Sequence, residues 1–344
     1  MSNSQPKPRN ITLNDIARVV GLSHAAVSLA LRNNPEVSKQ TCARVQAAAK
    51  EMGYQPNPVA TALARFKKTS REKPIHSGLA WLNFWADPKK LRSYKEFDLY
   101  WKGAVACGEK FGYRVEEFVV NEQMPMNKLE RILLTRDIQG ILVPPGELPE
   151  NLVKFDWSRF SIVHVGRSDP KVSMHCVAAD QIANAMLAYD RLREKGYQRI
   201  GFVGNHWRPV YYGAGFLWAQ TESQSAQQIP PLFVKQSSSA DLKKALGPWL
   251  KKNRPEAIVT DLAILKAVLT ESHEWTPDKI GLAASTVLDC PITAGINQNS
   301  EEIGRVSVLL LMSLIYDNDR GIPETNREVL VKGKWVDGSD LPGW

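Results

Sequence analysis

The chain of 344 residues has no apolar run long enough to span a bilayer, and its longest, Val306 to Tyr316, is interrupted by Ser307 and Ser313. Its opening residues, M-S-N-S-Q-P-K-P-R-N, hold no apolar stretch of the kind that marks a secretory leader. The sequence therefore predicts a cytoplasmic protein without a membrane partner. Cysteine is scarce: Cys42, Cys107, Cys176 and Cys290 are far apart, with no C-x-x-C, so they read as reduced structural thiols and not as a disulfide framework or zinc site. The six histidines are scattered, and G-x-S-x-G, H-E-x-x-H and G-x-x-x-x-G-K-[ST] are all missing. Gly201-Phe-Val-Gly204 lacks dinucleotide-binding spacing, and His164 and His175 sit on or beside strand-like runs, where a satisfied core or cleft histidine is expected. With no nucleophile, base or metal constellation, the chain is expected not to be an enzyme and to need no cofactor.

Excess positive charge is missing from most of the chain. Residues 1–76 carry twelve Lys and Arg against four Asp and Glu, whereas the rest carries thirty-two of each sign, so the whole net charge of +8 lies in the first segment. Confinement of that kind points to a polyanionic partner for this segment alone.

The same segment contains T-L-N-D-I-A-R-V-V-G-L-S-H-A-A-V-S-L-A-L, Thr12 to Leu31. Thr12 followed by Asp15 is a capping-box-like helix start, and Ile16, Ala17 and Val20 share one face before Gly21 ends the helix. Ser23 caps a second helix with Val27 and Leu31 turned inward. Val37-Ser38 opens a third, which runs to Met52 and closes at Gly53. Two short helices about a tight glycine turn form a helix-turn-helix, whose second helix enters the DNA major groove.

Continuing along the chain, T-L-N-D-I-A, G-L-S-x-x-x-V-S, N-P-E-V-S, G-Y-x-P-N and V-A-x-x-L-A follow in order without a gap. This resembles the lactose-repressor (LacI) family of bacterial transcription regulators, most specifically over the first 65 residues. From Ser77 onward, strand-like runs alternate with helical segments over some 260 residues, which implies doubly wound parallel sheets, two of them by length. The expected fold class is an all-α helix-turn-helix headpiece plus an α/β periplasmic-binding-protein-like core of two doubly wound parallel-sheet subdomains. The expected divisions are an arm at 1–10, the headpiece at 11–56, a hinge helix at 57–66, a linker at 67–76 and the core at 77–344. The resemblance implies an amino-terminal subdomain of about 77–172 and 298–331 and a carboxy-terminal one of about 173–297 and 332–344. It places the three crossings near Lys171–Cys176, Ile296–Asn299 and Val331–Gly333.

What the resemblance implies for function is a sequence-specific transcription regulator, a repressor, that binds a near-palindromic double-stranded DNA operator as a homodimer and is controlled by a small-molecule effector, sugar-related by analogy, in the core. A stand-alone solute-binding protein is the competing reading, and it leaves the headpiece without a role. The expected DNA-contacting residues are Thr12, Leu13, Ser23, His24, Ala25, Ala26, Ser28, Leu29 and Arg32, with Asn57, Ala60 and Leu63 in the hinge. The family commonly has Arg where this chain has Leu29, so either the operator differs at that base pair or Arg32 reads it. By analogy Leu63 wedges between base pairs in the minor groove. The expected effector-contacting residues are Asn83, Trp85, Trp207, Arg208, Tyr212, Asp261, Thr286 and Gln298. Tyr212 and Thr286 stand where the family has Arg and Asp, which weakens any inference to a sugar.

Overall fold

The computed structural model describes residues 13–31, 37–52, 77–121, 124–167, 173–205, 211–223, 228–234, 239–273 and 279–341. The chain divides into two compact units, Met1–Pro74 and Ile75–Trp344.

In the first unit, helices α1 (Leu13–Val20), α2 (His24–Leu31) and α3 (Lys39–Glu51) enclose a small core of Ile16, Ala17, Val27, Ala30, Cys42, Val45 and Ala49. Ala30 takes the fully buried position beside Val27, while Leu31 is only half-buried. Gly21 adopts the left-handed conformation (φ 65°) that α1 needs in order to end, and the Leu22 N–H closes the turn on the Ala17 carbonyl at 3.1 Å.

The second unit holds two six-stranded sheets. The first is built from β1 (Ser77–Asn83), β2 (Tyr113–Val119), β3 (Gly140–Val143), β4 (Ser161–Val165), β5 (His175–Ala179) and β11 (Glu328–Val331), in the order β11-β5-β4-β3-β1-β2. The second uses β6 (Ile200–Asn205), β7 (Leu232–Val234), β8 (Ala257–Thr260), β9 (Gly281–Ala284), β10 (Gly295–Asn297) and β12 (Lys334–Val336), in the order β12-β10-β9-β8-β6-β7. All neighbouring strands run parallel except β12, which is antiparallel to β10. Both sheets reverse direction next to their first strand, at β1/β3 and at β6/β8, and in doubly wound folds ligands bind outside the carboxyl ends of strands at such a switch point.

Central strands such as Ala257-Ile-Val-Thr260 are buried at every position because helices cover both faces. On one face of the second sheet, Ile200, Phe202, Ala257 and Val259 pack against Tyr189, Leu192 and Phe216. On the other, Val203, Ile258 and Leu282 meet Leu242, Leu246 and Val268. In the first sheet, Leu82, Ile141 and Ile162 pack against Leu129, Leu133 and Phe160. The helices Lys95–Lys110 and Ser300–Asp317 approach one another so closely that a methyl on Gly103 would overlap the Glu301 carbonyl, and one on Gly304 the Tyr100 carbonyl. Gly215 makes the equivalent approach to the backbone of Ile182 in the other subdomain.

The first crossing differs from the expectation of Lys171–Cys176. His175–Ala179 forms a fifth parallel strand, paired with β4 and β11, so the chain leaves the first sheet only after Ala179. The second crossing follows β10, and the third joins β11 to β12. All three are tied side by side: the Asp180 N–H donates to the Val331 carbonyl at 2.9 Å, and the Asn299 amide to the Lys332 carbonyl at 2.7 Å.

Candidate functional site

The helix-turn-helix is set by its caps. The Ala26 N–H donates to Ser23 Oγ at 3.2 Å and the Thr41 N–H to Ser38 Oγ at 3.2 Å, fixing the starts of α2 and α3. The Gln46 amide reaches the Ala30 carbonyl at 3.5 Å and pins α3 to α2. With Val27 and Ala30 turned into the core, Ser23 is exposed at the head of α2, and Ala26 and Leu29 are half-exposed along it. Arg18, Lys39, Arg44 and Lys50 are exposed on α1 and α3. For Leu13, His24, Ala25 and Ser28 the backbone alone is described. Thr12, Arg32, Asn57, Ala60 and Leu63 lie outside the described residues.

The second candidate site lies between the two sheets of the larger unit. A cavity of about 150 Å³ is lined from one side by Tyr94, Glu96 and Phe97, and from the other by Thr260, Asp261, Ser285, Thr286, Leu288 and Asp289 among others. Trp85, Tyr94 and Phe97 form a contiguous aromatic wall, with ring centroids 5.4–6.1 Å apart. The Trp85 indole is locked in place by donating to the Pro145 carbonyl at 2.8 Å. The subdomains touch across the cleft where the Glu96 N–H donates to Asp289 Oδ2 at 3.1 Å and where the Arg167 guanidinium lies 4.0 Å from the centroid of the Tyr211 ring.

The site's electrostatics are acidic. The Asp261 side chain opens onto the cleft while protein crowds its carboxylate. Burial pushes its pKa up to about 6, against the opposing pull of hydrogen bonds from the Asn205 N–H (2.9 Å) and its own backbone. Glu96 is raised above the ordinary carboxylate range by burial, opposed by a 2.7 Å hydrogen bond from Tyr100 Oη, and pushed further by Asp289. Tyr212 is buried and stacks on Phe202, and its hydroxyl has no hydrogen-bond partner among the described residues. Burial first, and the Asp261 charge second, keep that hydroxyl protonated.

Of the effector-contacting residues expected from sequence, Asp261 and Thr286 line this cavity, Trp85 packs against the Tyr94 and Phe97 rings that line it without lining it itself, and Tyr212 lies beside Asp261. Asn83 does not face it. Fully buried, Asn83 donates both amide hydrogens, to the Pro88 carbonyl and to Glu117, and accepts the Trp85 N–H, so it shapes the loop that carries Trp85. Gln298 is likewise spent, donating to the Ser285 carbonyl and accepting from Gln181 where the chain crosses between sheets. Trp207 and Arg208 lie outside the described residues. Tyr94, Glu96, Phe97 and Asp289 were missed, and the one local signal was an aromatic and acidic cluster opening the helix Lys95–Lys110.

Among the described residues no helix is long and apolar enough to cross a membrane, and no His, Cys, Asp and Glu group could hold a metal ion.

Residues 12–57 match the family described as "Bacterial regulatory proteins, lacI family". The HTH-type transcriptional repressor CytR of Escherichia coli K12 is 26% identical over 334 residues, covering 88% of this chain and 89% of the relative. The HTH-type transcriptional regulator GntR of Pseudomonas aeruginosa is 26% identical over 319 residues, with the same coverage of 88% and 89%. Among solved structures, a transcriptional regulator CelR–cellobiose complex superposes with a TM-score of 0.55 at 18% identity, covering 95% of this chain and 99% of that one. A lac repressor dimer bound to operator and the anti-inducer ONPF gives a TM-score of 0.54 at 17% identity, covering 97% and 100%. The structural likenesses show the fold of the two-sheet core, residues 12–57 match the helix-turn-helix of the lacI family, and over most of its length the chain is similar to helix-turn-helix transcriptional regulators.

Proposed function

We propose that the protein is a cytoplasmic repressor whose homodimer binds a near-palindromic operator and whose operator affinity is set by a small molecule enclosed between the two sheets of the core. A twofold dimer presents two α2 helices to successive major grooves, and a symmetric operator is the matching partner. Ser23, His24, Ala25, Ala26, Ser28, Leu29 and Arg32 are the base-edge and phosphate readers, with Thr12 and Leu13 on the backbone and Asn57, Ala60 and Leu63 in the minor groove. The observation that carries the effector half is the cavity at the carboxyl ends of both sheets, walled by residues of both subdomains and bridged at the Glu96–Asp289 contact. A ligand seated there binds the closed arrangement better than the open one, and only such a difference in affinity can shift the equilibrium. Tyr94, Phe97, Asp261, Thr286 and Asp289 carry that contact, with Trp207 and Arg208 from the adjoining loop.

Selection of bound duplexes from a random-sequence pool by the full chain tests the operator half. Enrichment of an inverted repeat is expected, and recovery of unrelated sequences would overturn the reading.

A further inference from the structure

Recognition of DNA by α1–α3 asks two things of their side chains, anchorage on phosphates and discrimination of base edges, and in this unit the two fall on different helices. Exposed cations lie on α1 and α3: Arg18 on the first, and Lys39, Arg44 and Lys50 on the third. The second helix, H-A-A-V-S-L-A-L, contains no Lys, Arg, Asp or Glu. Its Val27 and Ala30 are fully buried in the core of the unit. Ala26 and Leu29 are left half-exposed, three residues apart and therefore neighbours on the helix surface. A single aliphatic side chain partly in water is ordinary on a protein surface. On a helix that enters the major groove, the same side chain faces base edges.

Hydrogen-bond chemistry decides what such a side chain can read. Guanine is recognised through O6 and N7, adenine through N6 and N7 and cytosine through N4, and each needs a donor or acceptor on the protein. An aliphatic group has neither, and against those edges it would only strip water from polar atoms. The one major-groove feature that suits it is the C5 methyl of thymine. We propose that Leu29 reads a thymine methyl in each operator half-site, with the small Ala26 beside it letting the helix approach closely enough for contact. Each half-site therefore carries a T·A pair at that step, and 5-methylcytosine, which bears its methyl on the same ring carbon, satisfies the same contact. This inference rests on α2 being the helix that enters the major groove. It is independent of what Arg32 contacts, because a methyl read by Leu29 is detected at its own base pair.

Duplexes enriched by the full chain from a random-sequence pool supply the probe. Each thymine of such a duplex is replaced in turn by uracil, which removes the C5 methyl and leaves base pairing unchanged, and affinity is read by fluorescence anisotropy. A thymine in each half-site is expected to cost about fourfold on replacement, and about fifteenfold when both half-sites are changed, as the transfer of one and of two buried methyls requires. At the same position the wild-type chain should bind 5-methylcytosine more tightly than cytosine by the same factor, a comparison that needs no variant. Leu29→Ala should bind the thymine and uracil duplexes within about twofold of each other, having lost most of the apolar contact. Arg32→Ala should keep the uracil penalty. Tolerance of uracil at every position by the wild-type chain, or a penalty that survives Leu29→Ala or disappears with Arg32→Ala, overturns the methyl contact and leaves the DNA reading standing. Failure to enrich any duplex overturns both.

Discussion

Asp289 accepts the backbone N–H of Glu96 across the cleft at 3.1 Å, and it does so from a left-handed backbone conformation with φ of 55°. Asp and Asn tolerate that conformation far better than Ala. Asp289→Asn keeps an acceptor oxygen and should preserve the bridge, whereas Asp289→Ala loses the hydrogen bond and adds backbone strain, about 1–2 kcal/mol in each case. Hydrogen exchange at the Glu96 amide reads this directly. Protection should fall at least about tenfold in the alanine variant and hold in the asparagine one, and equal protection in both would show that the contact does not close the cleft.

Asp261 gives the core a pH signature. The folded chain retains this proton up to about pH 6, where an unfolded chain has already released it, so the residue's contribution to stability falls as pH rises from the ordinary carboxylate range to about 6. Among the described residues its titratable neighbours are Tyr212 beside it and Glu96 and Asp289 on the same cavity. In thermal melts between pH 4 and 7, wild type should lose stability relative to Asp261→Asn through that window and then run level with it. The effect should be smaller than the full ~1.4 kcal/mol per pH unit, because the carboxylate opens onto cleft water. Parallel curves would refute the assignment.

Gly304 and Gly103 face each other's helices with no room for a methyl, and the obstructing atoms are backbone carbonyls that cannot swing aside. Gly304→Ala should cost about 1–3 kcal/mol, the range of forced overpacking, and lower the melting temperature of the core without altering contacts made by α1–α3. An unchanged melt would mean that the helices separate freely.

Salt should weaken operator binding steeply. If the dimer neutralises roughly six to ten phosphates, the slope of log K against log salt is about −5 to −9. Fluorescence anisotropy across a salt series measures it, and a slope near zero is incompatible with the basic first segment being the DNA surface.

Leu63→Ala separates wedge from patch. A leucine inserted between base pairs contributes to bent operator and little to random duplex. The variant should therefore lose at least about tenfold on operator and less than about threefold on random DNA. Equal losses on both would assign Leu63 to the protein's own packing.

How much of this was legible beforehand depended on the range of the interactions. Ile200–Gly204 and Ala257–Thr260 announce themselves because parallel strands buried on both faces read as unbroken apolar runs. His175–Ala179 is equally apolar, yet what makes it a strand and not a crossing is its pairing with Glu328–Val331, some 150 residues away. The edge strands Leu232–Val234 and Lys334–Val336 are three residues each, too short for alternation to show. In the cleft, Asp261 and Thr286 were readable as polar residues just past strand ends. Asn83 and Gln298 fit the same rule and fail it, because their amides find backbone partners that no local pattern displays. Asp289 and Glu96 meet only through the closure of two subdomains across 193 positions of chain.

The pairing of β11 with β5 also dictates an order of events during synthesis. The first sheet cannot be completed until the ribosome has passed Val331, by which time nearly all of the second sheet has already been made. The amino-terminal subdomain must therefore wait with an open sheet edge at β5 while its later-made neighbour assembles, an interval in which an unpaired edge is prone to capture by another chain. Both sheets take their last strand from the stretch 328–336, so the slow, long-range pairing falls on the strands made last and not on the first to be made.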